Sequence, residues 1–243
     1  MKRGKFVVVD GLDGVGKGVF LDVFVEEAQK DGKRVFDVDA YEIKYDCLPS
    51  PDLIIGSYEV IKTSEPNYSG RGKVIRNDFN KKGSACSAEF MAKEYACCRK
   101  ELYQHLLIPI REAGIDLYQS RSLSTSVVFQ RQQAIDEGRI FSIAEILSIP
   151  ENKFCADYPM DILVVPIIDD AAKVVPRFEN RDKKDDCRYE NLDFQLKIKP
   201  HFESQEFKEL FAVLGVKLVY LDAGVSVEYS QQQAREFYQQ NLK

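Results

Sequence analysis

The sequence predicts an α/β fold in which a mostly parallel sheet carries helices on both faces. Two observations predict it. Apolar, β-branched segments alternate with segments of helical periodicity along the 243 residues, which is typical of parallel strands joined by helical crossovers. A glycine-rich loop, Gly11 to Lys17, lies between the first strand candidate and the first helix candidate. The length, with 44% hydrophobic and 30% charged residues, favours one domain over residues 1–243.

The predicted elements follow from these patterns. Val19–Gln29 and the longer Ala85–Ala113 have helical periodicity, and Gly114 is a stop signal for the second. The segment Asn180–Tyr189 is dense in charge and poor in apolar residues, which predicts an exposed loop. The strand candidates are apolar runs at Lys5–Asp10, Arg34–Val38, Glu59–Thr63, Ile115–Tyr118, Asp161–Ile167 and Val216–Leu221.

Composition excludes several classes of function. A net charge of -5 gives no general attraction to nucleic acid or to an anionic membrane, so we expect neither partner. No apolar stretch approaches the roughly 20 residues of a membrane span. The six cysteines lack CxxC spacing and the first residues lead directly into a strand, which predicts free thiols in a cytoplasmic protein. Two distant histidines do not suggest a zinc site or a Ser/His/Asp hydrolase.

The glycine-rich loop has the GxxxxGK spacing of a P-loop. In such a loop, backbone N–H groups surround phosphate oxygens, the lysine meets the β and γ phosphates, and the following helix adds its N-terminal dipole. A serine or threonine normally follows the lysine and offers a hydroxyl to Mg²⁺, but Gly18 stands there. The residues expected to bind ATP are Gly11, Asp13, Gly14, Val15, Gly16, Lys17 and Gly18.

Further segments, in a fixed order, carry a resemblance. GLDGVGK contains an internal carboxylate, and Thr63-Ser64-Glu65-Pro66 follows a strand candidate. KEYACCRKELYQHLLIPI, SRSLSTSVVFQ and a strand, helix and arginine-bearing segment that ends in NLDF come next. Between Gly11 and Phe202 the chain resembles the thymidylate kinases, among the nucleoside monophosphate kinases. The resemblance implies a three-layer P-loop sandwich with a mostly parallel five-stranded sheet and a lid at about residues 180–190.

The resemblance also implies an acceptor site. Asp13 would contact a deoxyribose 3′-hydroxyl, and Tyr95 would stack on the base. Arg99, on the same helix face as Tyr95, would contact a base carbonyl. Arg121 would hold the acceptor phosphate. The remaining acceptor contacts implied are Ser126, Phe129, which would crowd a ribose 2′-hydroxyl, and Gln130.

Three positions depart from the family pattern. Ser64 replaces the arginine of a TREP-like segment, and Ser120 replaces an acidic residue that helps to organise magnesium. With Gly18 as well, the metal ligands are altered, and Asp10 or Ser120 are the remaining candidates for Mg²⁺. The segment 37–57 is longer than in the family and has no assigned role.

The expected reaction is Mg²⁺-dependent transfer of the ATP γ-phosphoryl group to dTMP, and the resemblance also implies a homodimer. Catalysis would depend on cations that align the phosphates and neutralise their charge, namely Lys17, Arg121 and the lid candidates Arg177, Arg181 and Arg188. Two alternatives stay open. The chain could bind nucleotide without catalysis, because Gly18 and Ser120 both affect the metal, or it could phosphorylate another deoxynucleoside monophosphate.

Overall fold

The computed structural model describes residues 2–174 and 186–243, and a parallel sheet forms its centre. The strand order is β2-β3-β4-β1-β5-β6, and each neighbouring pair is parallel. Val9 at the end of β1 pairs with Ser120 on one side and Val164 on the other. The strands are β1 (Phe6–Val9), β2 (Val35–Asp37), β3 (Val60–Ser64), β4 (Asp116–Ser120), β5 (Ile162–Ile167) and β6 (Lys217–Asp222).

The sheet has six strands, and the expectation of five is wrong. The apolar run near the C-terminus forms β6, which pairs with β5 over its whole length from Lys217 to Asp222. Every residue of β1 is buried, although successive side chains point to opposite faces of a sheet. Helices therefore cover both faces around β1, as predicted.

Twelve α-helices lie within the described residues. The first, α1, packs against the last, α12, where the rings of Phe24 and Phe237 have centroids 5.3 Å apart. The helices are α1 (Lys17–Lys30), α2 (Val38–Tyr45), α3 (Pro51–Ile54), α4 (Gly70–Val74), α5 (Ala88–Leu102), α6 (Ile108–Glu112), α7 (Leu123–Asp136), α8 (Ile143–Ser148), α9 (Pro150–Ala156), α10 (Leu192–Glu203), α11 (Gln205–Val213) and α12 (Val227–Asn241). None of these helices is long and apolar enough to cross a bilayer.

The long helix predicted at Ala85–Ala113 is present but interrupted. It begins after Ser87, whose side chain accepts a hydrogen bond from the Phe90 N–H. A π-helical segment, Tyr103–Leu107, separates α5 from α6. Pro109 follows within α6, and because proline has no N–H it cannot donate the α-helical bond to the carbonyl of His105.

The unassigned segment 37–57 contains the helices α2 and α3. Asp37 begins α2, because its carboxylate accepts a hydrogen bond from the Ala40 N–H at 2.9 Å. Glu42 on α2 is fully buried and accepts hydrogen bonds from Asn67, Tyr68 and Ser69. The segment therefore fixes the loop that follows β3.

Candidate active site

The P-loop connects β1 to α1 with a backbone that glycine permits. Gly11, Gly14 and Gly16 have φ angles of 148°, 73° and 102°, where residues with a Cβ are rare. A Cβ on Gly11 would also lie 3.3 Å from the carbonyl oxygen of Pro166. Gly16 immediately precedes α1, so the loop lies at the N-terminus of that helix, where the helix dipole favours a bound anion.

Lys17 is held against the P-loop. Its Nζ donates to the carbonyl oxygens of Leu12 at 2.7 Å and Gly11 at 3.1 Å, and it lies 3.4 Å from Oδ1 of Asp13. Burial of the ammonium group, together with the nearby positive charge of Arg121, lowers the pKa of Lys17 to about 8. The ammonium form is therefore less favoured here than on an exposed lysine.

This lowered pKa predicts a pH dependence of nucleotide binding. An anionic triphosphate favours the protonated lysine, whereas the unbound side chain loses its proton above about pH 8. We therefore expect ATP affinity to fall as pH rises above about 8, by up to about tenfold per pH unit. Titration calorimetry between pH 7 and 9.5 should show proton uptake on binding. The Lys17→Arg variant is the control, since its guanidinium stays charged; the same decline in both proteins would contradict this assignment.

Asp13 and Arg121 form an ion pair at the centre of the site. Arg121 follows β4 with a φ of 63°, and its guanidinium donates to Oδ1 of Asp13. Burial opposes ionisation of Asp13, but the charges of Arg121 and Lys17 outweigh it and hold the pKa of Asp13 below its usual range. The carboxylate thus fixes both cations near the P-loop.

Two cavities meet at this ion pair. The first, the aromatic cavity, has a volume of about 340 Å³ and walls that include Tyr68, Tyr95, Phe129 and Tyr189. The second, the P-loop cavity, has a volume of about 590 Å³ and is lined by residues that include Lys17, Gly18, Ser64 and Ser120. Both cavities share Tyr68, Arg76, Arg121 and Glu190.

The aromatic residues predicted for the acceptor site lie on the wall of the aromatic cavity. The phenol group of Tyr95 is oriented by the Asn80 amide, with contacts of 2.8 and 3.0 Å. Phe129 packs edge-on against Tyr189 with centroids 5.6 Å apart, and the guanidinium carbon of Arg121 lies 5.5 Å from the Phe129 ring centre. Flat apolar surfaces beside a charged group suit a planar base linked to a phosphate.

Arg99 is placed differently from the expectation. It is buried and does not line the aromatic cavity, since its guanidinium donates to Glu65 at 2.8 Å, Asn152 at 2.6 Å and Ser126 Oγ at 2.9 Å. The Ser126 hydroxyl therefore accepts a hydrogen bond from the protein itself, which is also different from the expected base contact. Gln130 is also buried away from both cavities, and its side-chain amide has no hydrogen-bond partner among the described residues. The geometry favours an indirect role for these residues, in which they support the wall behind Tyr95.

The candidate metal ligands do not form a magnesium site. Asp10 is fully buried; Oδ2 accepts hydrogen bonds from Ser124 and Thr125, and Oδ1 accepts one from the Gly11 N–H at 2.8 Å. Ser120 lines the P-loop cavity but offers only a hydroxyl. In residues 2–174 and 186–243, no group of three His, Cys, Asp or Glu side chains could hold a metal. The described residues therefore do not fit a Mg²⁺ ion bound by protein side chains alone.

The lid candidates Arg177 and Arg181 lie outside the described residues. Arg188 is described, and its guanidinium donates to the carbonyl of Cys86 at 2.9 Å. Its backbone N–H donates to Asn80 at 2.7 Å, and Lys81 bridges Cys187 in an antiparallel contact. The segment after residue 185 is therefore attached to the wall of the aromatic cavity, and the expected exposed loop includes a buried residue, Tyr189.

Arg76 and Glu42 line the site but were not predicted from the sequence. Arg76, in the π-helical segment Ile75–Phe79, lines both cavities. Glu42 lines the aromatic cavity and carries the loop after β3. No motif marks either residue, because their positions depend on contacts with a loop that is distant in the sequence from α2.

A scan against models of known protein families finds no match. Among curated relatives, the thymidylate kinase of Caldicellulosiruptor saccharolyticus is 26% identical and covers 99% of this chain and 98% of its own length. The thymidylate kinase of Clavibacter sepedonicus is 25% identical over 91% of this chain and 88% of its own. A probable thymidylate kinase of Methanococcus vannielii is 24% identical over 82% of this chain and 76% of its own.

A solved structure has the same fold. The thymidylate kinase of Candida albicans superimposes with a TM-score of 0.62 at 16% identity, over 98% of this chain and 92% of that one. The curated relatives match over most of both chains at low identity, and the P-loop and the aromatic cavity are both present. The chain is thus similar over most of its length to proteins named thymidylate kinase, and the low identity fits a divergent member of that family.

Proposed function

We propose that the protein transfers the γ-phosphoryl group of ATP to dTMP, giving ADP and dTDP. One observation carries this proposal: Arg121 lines both the P-loop cavity, which contains Lys17, and the aromatic cavity, which contains Tyr95 and Phe129. A donor phosphate at Lys17 and an acceptor phosphate at Arg121 would thus lie in connected space. An oxygen of the acceptor phosphate attacks the γ-phosphorus while the bond to the β–γ bridging oxygen breaks, and ADP leaves.

The described residues would act by position and charge. Lys17 would leave the carbonyls of Gly11 and Leu12 to neutralise the β and γ phosphates. Arg121 would hold the acceptor phosphate, and the aromatic cavity would enclose the base and sugar. The ring of Tyr95 would stack on the base, while Asp13 and Phe129 would lie near the deoxyribose.

The lid would supply further positive charge to the phosphoryl group that is transferred. Arg177 and Arg181 are the candidates proposed to reach the transferring group. Arg188 would have to leave the Cys86 carbonyl before it could do so, and its present contact favours a role in the cavity wall. Closure of the lid would exclude water and limit ATP hydrolysis.

Magnesium would enter with the nucleotide rather than through a ligand set of the protein. Mg²⁺ commonly keeps several waters and binds substrate phosphates, so a chain without preformed ligands can still use Mg·ATP. The lack of a magnesium ligand set among the described residues also favours a second candidate function, that of a nucleotide-binding protein that has lost catalysis.

The Gly18→Ser variant tests the missing hydroxyl. A Cβ at Gly18 meets nothing within 4 Å, so serine fits without displacing neighbours. We expect this variant to bind Mn²⁺ several-fold more tightly in its nucleotide complex, because it restores an oxygen ligand where the P-loop motif has one. Electron paramagnetic resonance of Mn²⁺ measures the affinity. Gly18→Ala, which adds the Cβ alone, is the matched control; equal Mn²⁺ affinity of both variants would refute a role for the hydroxyl.

The proposed function is tested by ADP formation from Mg·ATP with a panel of deoxynucleoside and ribonucleoside monophosphates. We expect ADP with dTMP and background ADP without acceptor. ADP with a different monophosphate, dUMP for instance, would retain the mechanism and change the substrate. Tight ATP binding without ADP from any acceptor would favour the non-catalytic alternative.

A further inference from the structure

Arg76 is fixed by neutral oxygens at the junction of the two cavities. Its Nε donates to the carbonyl of Pro66 at 2.7 Å, and its NH2 group donates to the hydroxyl of Ser64 at 3.2 Å. The guanidinium carbon lies 3.9 Å from the ring centre of Tyr68, within stacking distance. These contacts hold the planar group in one orientation.

The charge of Arg76 is not compensated by an ion pair. Within the described part of the chain, no carboxylate oxygen lies within 4.0 Å of its guanidinium nitrogens. The two other arginines expected at the acceptor site are paired, Arg121 with Asp13 and Arg99 with Glu65. Among the described residues Arg76 thus has no direct ion pair at the junction, and its electrostatic partner there is the Asp39 carboxyl, whose pKa burial raises to about 6 while the charge of Arg76 opposes the rise.

An acceptor phosphate needs such a charge. A phosphomonoester carries about -1.5 to -2 near neutral pH, and Asp13, which pairs with both Arg121 and Lys17, already balances part of their positive charge. Arg121 alone would therefore leave the phosphate poorly neutralised.

We infer that Arg76 binds the phosphate of the acceptor nucleotide and shares it with Arg121. The inference rests on the proposed function, because it concerns the acceptor of that reaction. A guanidinium presents paired N–H donors that match phosphate oxygens, and its fixed orientation lowers the entropy lost on binding. Ser64 occupies the position where a TREP-like segment has arginine, and its small side chain accepts the hydrogen bond that orients Arg76.

The test compares dTMP with thymidine, which lacks the phosphate, by titration calorimetry on the full chain. We expect Arg76→Ala to weaken dTMP binding about 10- to 100-fold, in the range for a hydrogen bond to a charged group, and to leave thymidine binding unchanged within about twofold. Arg76→Lys keeps the charge and should lose less. Arg71→Ala is the matched control, because Arg71 lies on α4 and pairs with Glu94 outside both cavities.

A rescue variant separates phosphate binding from loop structure. Arg76→Met keeps the aliphatic stem over Tyr68 and serves if the alanine variant does not fold, as judged by thermal unfolding. Ser64→Arg combined with Arg76→Ala should recover part of the lost dTMP affinity, because it returns a guanidinium to the same place. Recovery would support the inference strongly.

The outcomes also separate this inference from the proposed function. If the parent protein binds dTMP and the Arg76 variants bind it equally well, or lose dTMP and thymidine affinity equally, Arg76 does not bind the phosphate and the proposed function stands. If the parent binds none of the monophosphates in the panel, the proposed function fails and this inference fails with it.

Discussion

Replacing Lys17 with alanine is expected to lower kcat for ADP formation by at least about a hundredfold, because loss of one fixed donor to transition-state charge costs about 10² to 10³ in rate. Lys17 is the only P-loop side chain in the GxxxxGK segment that carries a positive charge. Its ammonium already lies against the P-loop, where it donates to the carbonyl oxygens of Gly11 and Leu12. Steady-state ADP formation at saturating ATP and acceptor gives kcat.

Lys30→Ala is the control for this change. Lys30 lies at the end of the same helix, is exposed and pairs with Glu27, far along α1 from the P-loop. We expect its kcat to match the parent. A Lys17→Ala variant that folds normally and keeps more than about a tenth of the parent kcat would remove the P-loop from the catalytic account.

Replacing Arg121 with alanine is expected to reduce kcat/KM for the acceptor by at least about a hundredfold, since a bidentate guanidinium contact to phosphate would be lost. Stability should fall too. Asp13 is 2% exposed and would retain only Lys17, 3.4 Å away, as a cation partner. Removing one partner of a buried ion pair lowers the free energy of unfolding by about 3 kcal/mol or more. Because Arg121 is partly exposed, we expect a loss at this lower end. Initial rates against acceptor concentration and denaturant unfolding measure the two effects.

A second substitution separates the two effects of Arg121. Arg121→Ala with Asp13→Asn removes the unpaired buried charge, so we expect unfolding free energy to recover while kcat/KM for the acceptor stays low. Arg131→Ala is the control on α7, the helix that follows Arg121, since Arg131 pairs with Glu206 away from the site. If the double variant regained acceptor kcat/KM along with stability, Arg121 would be a structural residue and not a phosphate ligand.

The sequence was most informative where structure is set locally. The P-loop needs glycine at positions with positive φ and lies between a strand and a helix, so its pattern identified the loop and Lys17 directly. The alternation of elements gave the parallel sheet with helices on both faces. The apolar run Val216–Leu221 predicted the sixth strand, whereas the family resemblance implied a sheet of only five strands.

The sequence was least informative where distant segments decide the direction of a side chain. Spacing of four residues placed Tyr95 and Arg99 on one helix face, and only Tyr95 reaches the aromatic cavity. Arg99 turns inward because Glu65, 34 residues away in sequence, and Asn152, 53 residues away, accept its N–H groups. No local pattern reports such partners.

Arg76 and the segment 37–57 show the same limit. The role of Glu42 depends on N–H and O–H donors 25 to 27 residues further along the chain. Arg76 reaches Ser64 only because the chain between them folds back after β3. A charged residue in a segment without a motif could not be assigned to either cavity from its spacing.

The central claim is that one site joins the donor phosphates at Lys17 to an acceptor phosphate at Arg121. The most direct measurement is incubation of the protein with ATP labelled in the γ-phosphoryl group and with dTMP, followed by chromatography of the products. We predict one equivalent of label in dTDP for each ADP formed. Label appearing only in inorganic phosphate, or remaining in ATP although both nucleotides bind, would contradict phosphoryl transfer by this site.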